Sequence, residues 1–180
     1  QEFSQFGTNV IQINPGRQSA RGGPPGLPST ARELTLDDAA ALARLPHVTH
    51  VTANVSGNAE VRAKGRVRRT TVLGVSADMQ EVYAMRVRIG HFLPPDDSAS
   101  ARAFVVLGPK LKSELFGIAN ALGERIQIGD ERYRVVGIME AEGEFLGVDL
   151  DDTAFIPSAR GLALFKRDGL MEIGVAYAEN

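Results

Sequence analysis

The stretch Val48–Val75, VTHVTANVSGNAEVRAKGRVRRTTVLGV, decides how the chain folds. Val48 to Val55 is rich in β-branched residues and is closed by Ser56-Gly57-Asn58, the composition of a strand followed by a turn. Ala59–Ala63 and Val67–Val75 read as two more strands, with Lys64-Gly65-Arg66 as a short glycine-containing connection that fits a hairpin. Upstream, Thr35 precedes Leu36-Asp37-Asp38: its hydroxyl can accept from the free amides of a first helical turn, and the aspartates favour the positive end of the helix dipole. A helix over about Leu36–Arg44 follows, its apolar side built from Leu36, Ala39, Ala40, Leu42 and Ala43, and Pro46 forbids its continuation. Before it, Thr8–Ile13 is a strand bounded by Asn14-Pro15-Gly16. Strand, helix and strand make a βαβ-like unit. Arg17–Thr30, RQSARGGPPGLPST, has almost nothing to bury and is expected to be a mobile loop.

Downstream, a short helix is expected over Asp78–Tyr83 and a fully buried strand over Ala103–Gly108. Pro109 then opens a helix to about Phe116, since its missing N–H would be unpaired in a first turn anyway. Glu124–Ile128 and Tyr133–Met139 flank the hairpin signal Gly129-Asp130-Glu131. Gly143–Asp152 reads as an acidic loop, Thr153–Pro157 as a strand, Ser158–Phe165 as a short capped helix and Met171–Ala178 as a last strand. Eight or nine strands with four short helices, and no repeat at fixed period, place the chain in the α+β or mixed class.

The 180 residues are 43% hydrophobic and 23% charged, the balance of a globular protein. A chain of this length buries about two-thirds of its unfolded surface and needs no disulfide or structural metal to do so. The absence of cysteine excludes a thiol nucleophile, a zinc ribbon, an iron–sulfur site and a disulfide scaffold, and leaves the compartment open. A net charge of -2 argues against a phosphate-backbone binder, although charge is sorted along the chain: residues 1–112 sum to +5 and residues 113–180 to -7. No stretch approaches the roughly 18 apolar residues of a membrane-spanning helix, and Gln1–Ile13 lacks a basic end followed by an apolar run. The chain has no initiator Met and stops directly after an apolar alternating segment, so it is expected to be a piece of a longer protein.

Signals for chemistry are sparse. His47, His50 and His91 are the only histidines, and none sits at ligand spacing to a second histidine or in a known metal pattern with a carboxylate. No G-x-S-x-G elbow is present to place a nucleophilic serine. Asp149, Asp151 and Asp152, with Glu140, Glu142 and Glu144 upstream, offer oxygen ligands, but no EF-hand glycine or terminal bidentate glutamate accompanies them, so a solvated acidic loop is expected. Neither a Gly-x-Gly-x-x-Gly nor a Walker-type loop occurs. No catalytic residue, cofactor or metal site is expected. The basic hairpin carries Arg62, Lys64, Arg66, Arg68 and Arg69, and alternation puts Arg62, Lys64, Arg66 and Arg68 on one face with Val61, Ala63 and Val67 on the other. Without interleaved stacking aromatics, a plain polar face or a docking surface for an acidic partner is expected rather than a nucleic-acid face.

The order of motifs resembles the MacB periplasmic core domain of MacB/FtsX-type ABC transporter permeases. The matching pieces are Phe6-Gly7-Thr8-Asn9; Leu34-Thr35-Leu36-Asp37-Asp38; Gly74-Val75-Ser76 with Asp78; and Ile89-Gly90-His91-Phe92, where His91 stands in place of a common Arg. They continue with Val105–Gly108, Leu115-Phe116-Gly117, Gly123–Ile128, Tyr133–Ile138 and Asp152–Pro157. The resemblance implies a two-lobed extracytoplasmic domain inserted between the first two membrane helices of an inner-membrane permease. Residues 1–58 and 170–180 would form a porter-like lobe, short at its C-terminal end, and residues 59–169 an inserted small α/β lobe. It implies a non-catalytic part that transmits ATP-driven movement of the membrane helices. Its partners would be a cytoplasmic ABC ATPase and a second permease copy, with a membrane fusion protein and an outer-membrane channel in efflux systems. A lipoprotein-releasing permease is the alternative within this class. From other classes, a soluble hydrolase using His50 or His91, or a binding module using the basic hairpin, stay open.

Overall fold

A computed structural model of the chain describes residues 9–16, 32–145 and 147–179. The loop expected over Arg17–Thr30 lies outside them. In chain order the elements are β1 (Asn9–Ile13), α1 (Leu36–Ala43), β2 (Val48–Ala63), β3 (Arg66–Val75), α2 (Met79–Val82) and β4 (Val87–Gly90). Then come β5 (Phe104–Leu107), α3 (Pro109–Phe116), β6 (Arg125–Ile128), β7 (Glu131–Met139), β8 (Glu144–Phe145) and β9 (Val148–Asp149). The last three are β10 (Thr153–Pro157), α4 (Ser158–Leu164) and β11 (Glu172–Tyr177).

The helix starts follow from the sequence. Thr35 and Asp38 form a reciprocal capping box, with the Asp38 N–H donating to Thr35 Oγ1 at 3.1 Å and the Thr35 N–H to Asp38 Oδ2 at 3.0 Å. Pro109 occupies the first position of α3. The class is the mixed α+β one expected, organised on one long sheet with the order β1-β11-β2-β3-β10-β5-β7-β4, to which β6 adds by pairing with β2 and β7. β1 and β11 pair antiparallel, so both ends of the described chain meet in this sheet.

β2 is the element on which the sheet turns. Its Val48–Asn54 half pairs with β11 and its Val55–Ala63 half with β3. The sequence reading breaks this element at Ser56-Gly57-Asn58; the structure continues it without interruption for 16 residues. The Gly57 position is kept in the strand by packing, because the Phe165 ring lies where a Cβ would stand, 2.5 Å from it. A second correction concerns Gly143–Asp152, which is not a plain loop. It holds the β8–β9 hairpin and a 3₁₀ turn. Two buried clusters fill the β3–β10–β5–β7 region, one around Leu111, Leu115, Ile126 and Tyr133 under α3, the other around Met79, Phe92, Met139 and Phe155. A third, with Ile173 and Leu170, lies beneath α1.

Candidate functional site

The β2–β3 hairpin turns on Lys64 and Gly65, both at positive φ (52° and 74°), which is a two-residue turn matched to the strand twist. Ala63 therefore pairs with Arg66, Arg62 with Val67 and Val61 with Arg68. Cross-strand partners share a face, so the expected sorting of four cations against three apolar residues is corrected. Arg66 and Arg68 lie on the side of Ala63 and Val61, whereas Val67 is 55% exposed beside Arg62. A three-residue connection would have given the expected faces, and one residue of register reverses them.

Each of the four cations has a partner within the chain. Arg62 Nη2 donates to Glu60 Oε2 at 2.9 Å, Lys64 Nζ stands 3.4 Å from Glu124 Oε2, and Arg66 Nη1 donates to the Glu114 carbonyl at 3.0 Å. Arg68 makes a two-pronged contact with Asp152, Nε to Oδ1 at 3.0 Å and Nη2 to Oδ2 at 2.7 Å. The bonds from Arg68 hold the Asp152 carboxyl below its ordinary value. β6 and β7 bring Arg125 and Arg132 alongside Arg62, Lys64 and Arg66 to line one shallow cleft, a convergence that linear spacing does not reveal.

The sign of the Asp152 contribution follows from that depression. The stability it confers is fully present above its unfolded value of about 3.9 and is lost as pH falls through the lower folded value. Asp152→Asn is expected to cost about 1.5–3 kcal/mol at pH 7, the usual worth of bonds to a charged group. It should also flatten the fall of stability below about pH 4. Urea denaturation of both proteins at stepped pH reads this, and parallel pH profiles would refute it.

The acidic segment is built for its own turn. Asp149 Oδ1 accepts from the Asp151 N–H at 3.1 Å, and Asp151 Oδ1 accepts from the Glu142 and Gly143 N–H groups at 2.7 and 3.2 Å. His91 Nδ1 contacts the Phe92 carbonyl at 2.7 Å, and His50 Nδ1 stands 3.2 Å from Asp78 Oδ2. Of the two histidines on which a hydrolase reading with a nearby carboxylate rests, His50 has such a carboxylate in Asp78, and the described hydrogen bond of His91 goes to a main-chain carbonyl. Glu81 joins His50 and Asp78 so that one donor atom from each lies within 4.8 Å of the others. One nitrogen and two oxygens are a set that first-row divalent cations accept. The separation of 28 positions between His50 and Asp78 hid this grouping from a reading by spacing.

The place where β2 changes partners is held by hydroxyls. β3 ends at Val75, and at the next register position Ser76 Oγ, not a main-chain group, accepts from the Ala53 N–H at 2.9 Å. Ser158 Oγ donates to the Ala53 carbonyl at 2.7 Å, and Thr52 Oγ1 accepts from the Ser76 N–H at 3.2 Å. The helix expected over Ser158–Phe165 with a cap has no side-chain cap, and its first hydroxyl, that of Ser158, serves β2 instead. Beside it Gly74 and Gly161 let α4 lie directly on β3: a Cβ at Gly161 would stand 2.8 Å from Gly74 Cα. On the other side of β2, Tyr83 Oη donates to Glu172 Oε1, to which Asn54 Nδ2 also donates at 3.1 Å.

The sequence profile of the MacB-like periplasmic core domain matches residues 1–180. The chain belongs to that family. Among its relatives, the pyoverdine export ATP-binding/permease protein PvdT of Pseudomonas entomophila (strain L48) is 33% identical over 167 residues, 91% of this chain and 24% of the relative. The macrolide export ATP-binding/permease protein MacB of Chlorobaculum tepidum is 27% identical over 185 residues, 100% of this chain and 28% of the relative. The chain thus spans about a quarter of the length of these relatives.

Solved structures give the fold. The periplasmic region of MacB from Actinobacillus actinomycetemcomitans superposes with a TM-score of 0.75 at 19% identity, covering 97% of this chain and 76% of that one. The extracellular domain of the noncanonic ABC-type transporter YknZ from Gram-positive bacteria gives 0.73 at 18% identity, covering 95% and 84%. In this MacB-like domain the residues that the sequence reading missed are those of the joint, Thr52, Ser76, Ser158, Tyr83 and Glu172. The partners described above lie 23 or more residues away, and no local pattern marks them.

Proposed function

We propose that this chain is the extracytoplasmic part of an ATP-driven export permease anchored in the cytoplasmic membrane, and that it transmits movement instead of catalysing a reaction. The match of the family profile over residues 1–180 carries the reading. Relatives named as ATP-binding/permease export proteins support it, since this chain corresponds to about a quarter of their length. ATP hydrolysis on an ABC ATPase, as a separate subunit or fused, displaces the membrane helices of two permease copies. The domain passes that displacement to substrate or to a membrane fusion protein and outer-membrane channel. The division into a lobe of residues 1–58 and 170–180 and a lobe of residues 59–169 belongs to this proposal. The change of β2 from β11 to β3 near that boundary supports it, and one continuous strand through both lobes is a stiff connection for movement.

Arg62, Lys64 and Arg66 are the proposed contact surface for an acidic partner, extended by Arg125 and Arg132 in the same cleft, while Arg68, paired with Asp152 beside Val61, is left out of it. Rim charges of this kind set association rate and partner choice more than affinity. The reading is tested by purifying the full-length protein from native membranes in mild detergent and identifying what accompanies it by mass spectrometry. An ABC ATPase, fused or co-purifying, with ATP hydrolysis by the preparation, is expected. A preparation with no ATP-binding segment or subunit would overturn the proposal.

A further inference from the structure

The joint between β2, α2 and the β8–β9 hairpin borders a half-open cavity of about 310 Å³, within the size range of small-molecule sites. Leu73 and Val75 of β3 form apolar wall on one side, and Phe145 and Val148 of the hairpin on another. Met79, Met85 and Met171, three of the four methionines in the chain, also line it. Unbranched thioethers adapt to the shape of a guest and make favourable contacts with aromatic rings. Met79 and Met85 are buried, and Met171 is 38% exposed. The Tyr83 and Phe145 rings, both in the lining, pack against one another with centroids 5.4 Å apart and an inclination of 54°.

One charged side chain, Glu172, is among the lining residues. No Lys, Arg or His among the described residues forms an ion pair with it. Its described hydrogen bonds, from Tyr83 Oη and Asn54 Nδ2, both fall on Oε1. Burial together with the charge of Glu172 raises the Tyr83 phenol well above its ordinary value, so the phenol stays a hydrogen-bond donor to Glu172 Oε1. Close packing fixes the pair, because a Cβ at Gly174 would stand 2.6 Å from the Tyr83 oxygen. An oriented carboxylate without a cationic partner, at the wall of an apolar, methionine- and aromatic-lined hollow, is complementary to a protonated amine carried on an apolar body.

We infer that this cavity binds a cationic amphiphile, a small molecule whose ammonium group pairs with Glu172 and whose apolar body lies against Met79, Met85 and Met171. The inference goes beyond the transmitting role and does not require it, since binding is a property of the chain alone. It is tested on the 180-residue chain carrying ¹³C-methyl methionine, titrated with propranolol, a naphthyl-bearing secondary amine. The control titrant is 3-(1-naphthyloxy)-1,2-propanediol, in which hydroxyl replaces the amine.

The expected result is saturable shifts of the Met79, Met85 and Met171 methyl signals, larger than those of Met139, with the diol binding at least fivefold more weakly. Glu172→Gln should weaken the amine about tenfold and leave the diol unchanged. Met171→Lys, which sets a cation at a partly exposed position of the wall, should suppress amine binding while thermal melting shows a folded chain, so the idea stays open to refutation even where Glu172→Gln misfolds. Absence of methyl shifts, equal affinity for amine and diol, or an unweakened amine in both variants would overturn the inference. The transport proposal stands or falls separately, on co-purification.

Discussion

Gly161→Val lowers the unfolding free energy of the chain by about 3 kcal/mol, the upper part of the usual range for overpacking, with an unchanged denaturant slope. The reason is the contact of α4 on β3. A Cβ at position 161 would stand 2.7 Å from Val55 Cγ1, 2.8 Å from Gly74 Cα and 3.3 Å from Gly74 N. Two of these atoms are backbone of a central strand, and the third belongs to a valine that is 1% exposed. None can withdraw cheaply, so the helix must lift from the sheet. Lifting α4 also draws Ser158 from the Ala53 carbonyl. Gly74→Ala, whose Cβ meets the same valine methyl at 2.7 Å and Gly161 Cα at 3.0 Å, should act in the same direction. Gly16→Ala, with nothing within 4 Å, should change stability by less than about 0.5 kcal/mol. Equal effects at 161 and 16 in urea denaturation would show that the close approach does not matter.

Those glycines mark the boundary of what the chain reveals in one dimension. Local chemistry was legible: the Thr35 cap and Pro109 at a helix start act over a few residues, and the structure carries them as read. What depends on counting across a turn was less secure. Taking Arg66 into the connection shifted the register by one and placed Val67 with the core, where it is in fact exposed. Ser56-Gly57-Asn58 has the composition of a turn, yet the Phe165 ring on Gly57 and the ladder to β3 keep it extended. Tertiary packing overrides a turn signal there, as it does for β-propensity generally. The aspartates of Asp149–Asp152 look alike in sequence and differ in use: Asp149 and Asp151 accept backbone N–H groups, while Asp152 meets Arg68. Nothing local separates them, because the distinguishing partners come from β3 and from the segment before β8.

The joint of β2 is expected to fail when its hydroxyls are removed. Ser76→Ala together with Ser158→Ala leaves both the N–H and the carbonyl of Ala53 without their partners, on a residue that is 1% exposed. Each orphaned buried group costs about 1–3 kcal/mol, so the double variant should lose roughly 2–5 kcal/mol. The two hydroxyl oxygens are 3.4 Å apart in one network, so the losses should not add independently. Each single variant leaves one group of Ala53 paired, and the coupling measured by the double-mutant cycle reports how far the serines act as a unit. Amide exchange locates the effect: Ala53 should lose protection well before Val72 and Val106, whose strands are paired by main chain on either side of β10. Uniform loss of protection would mean that the serines support the whole core and not the joint. Selective loss would identify the segment through which the two halves of β2, paired to different strands, hold their relative position. The proposed transmission of displacement needs that position to be stiff, and selective loss would show two side-chain hydroxyls holding it where the main-chain ladder changes partners.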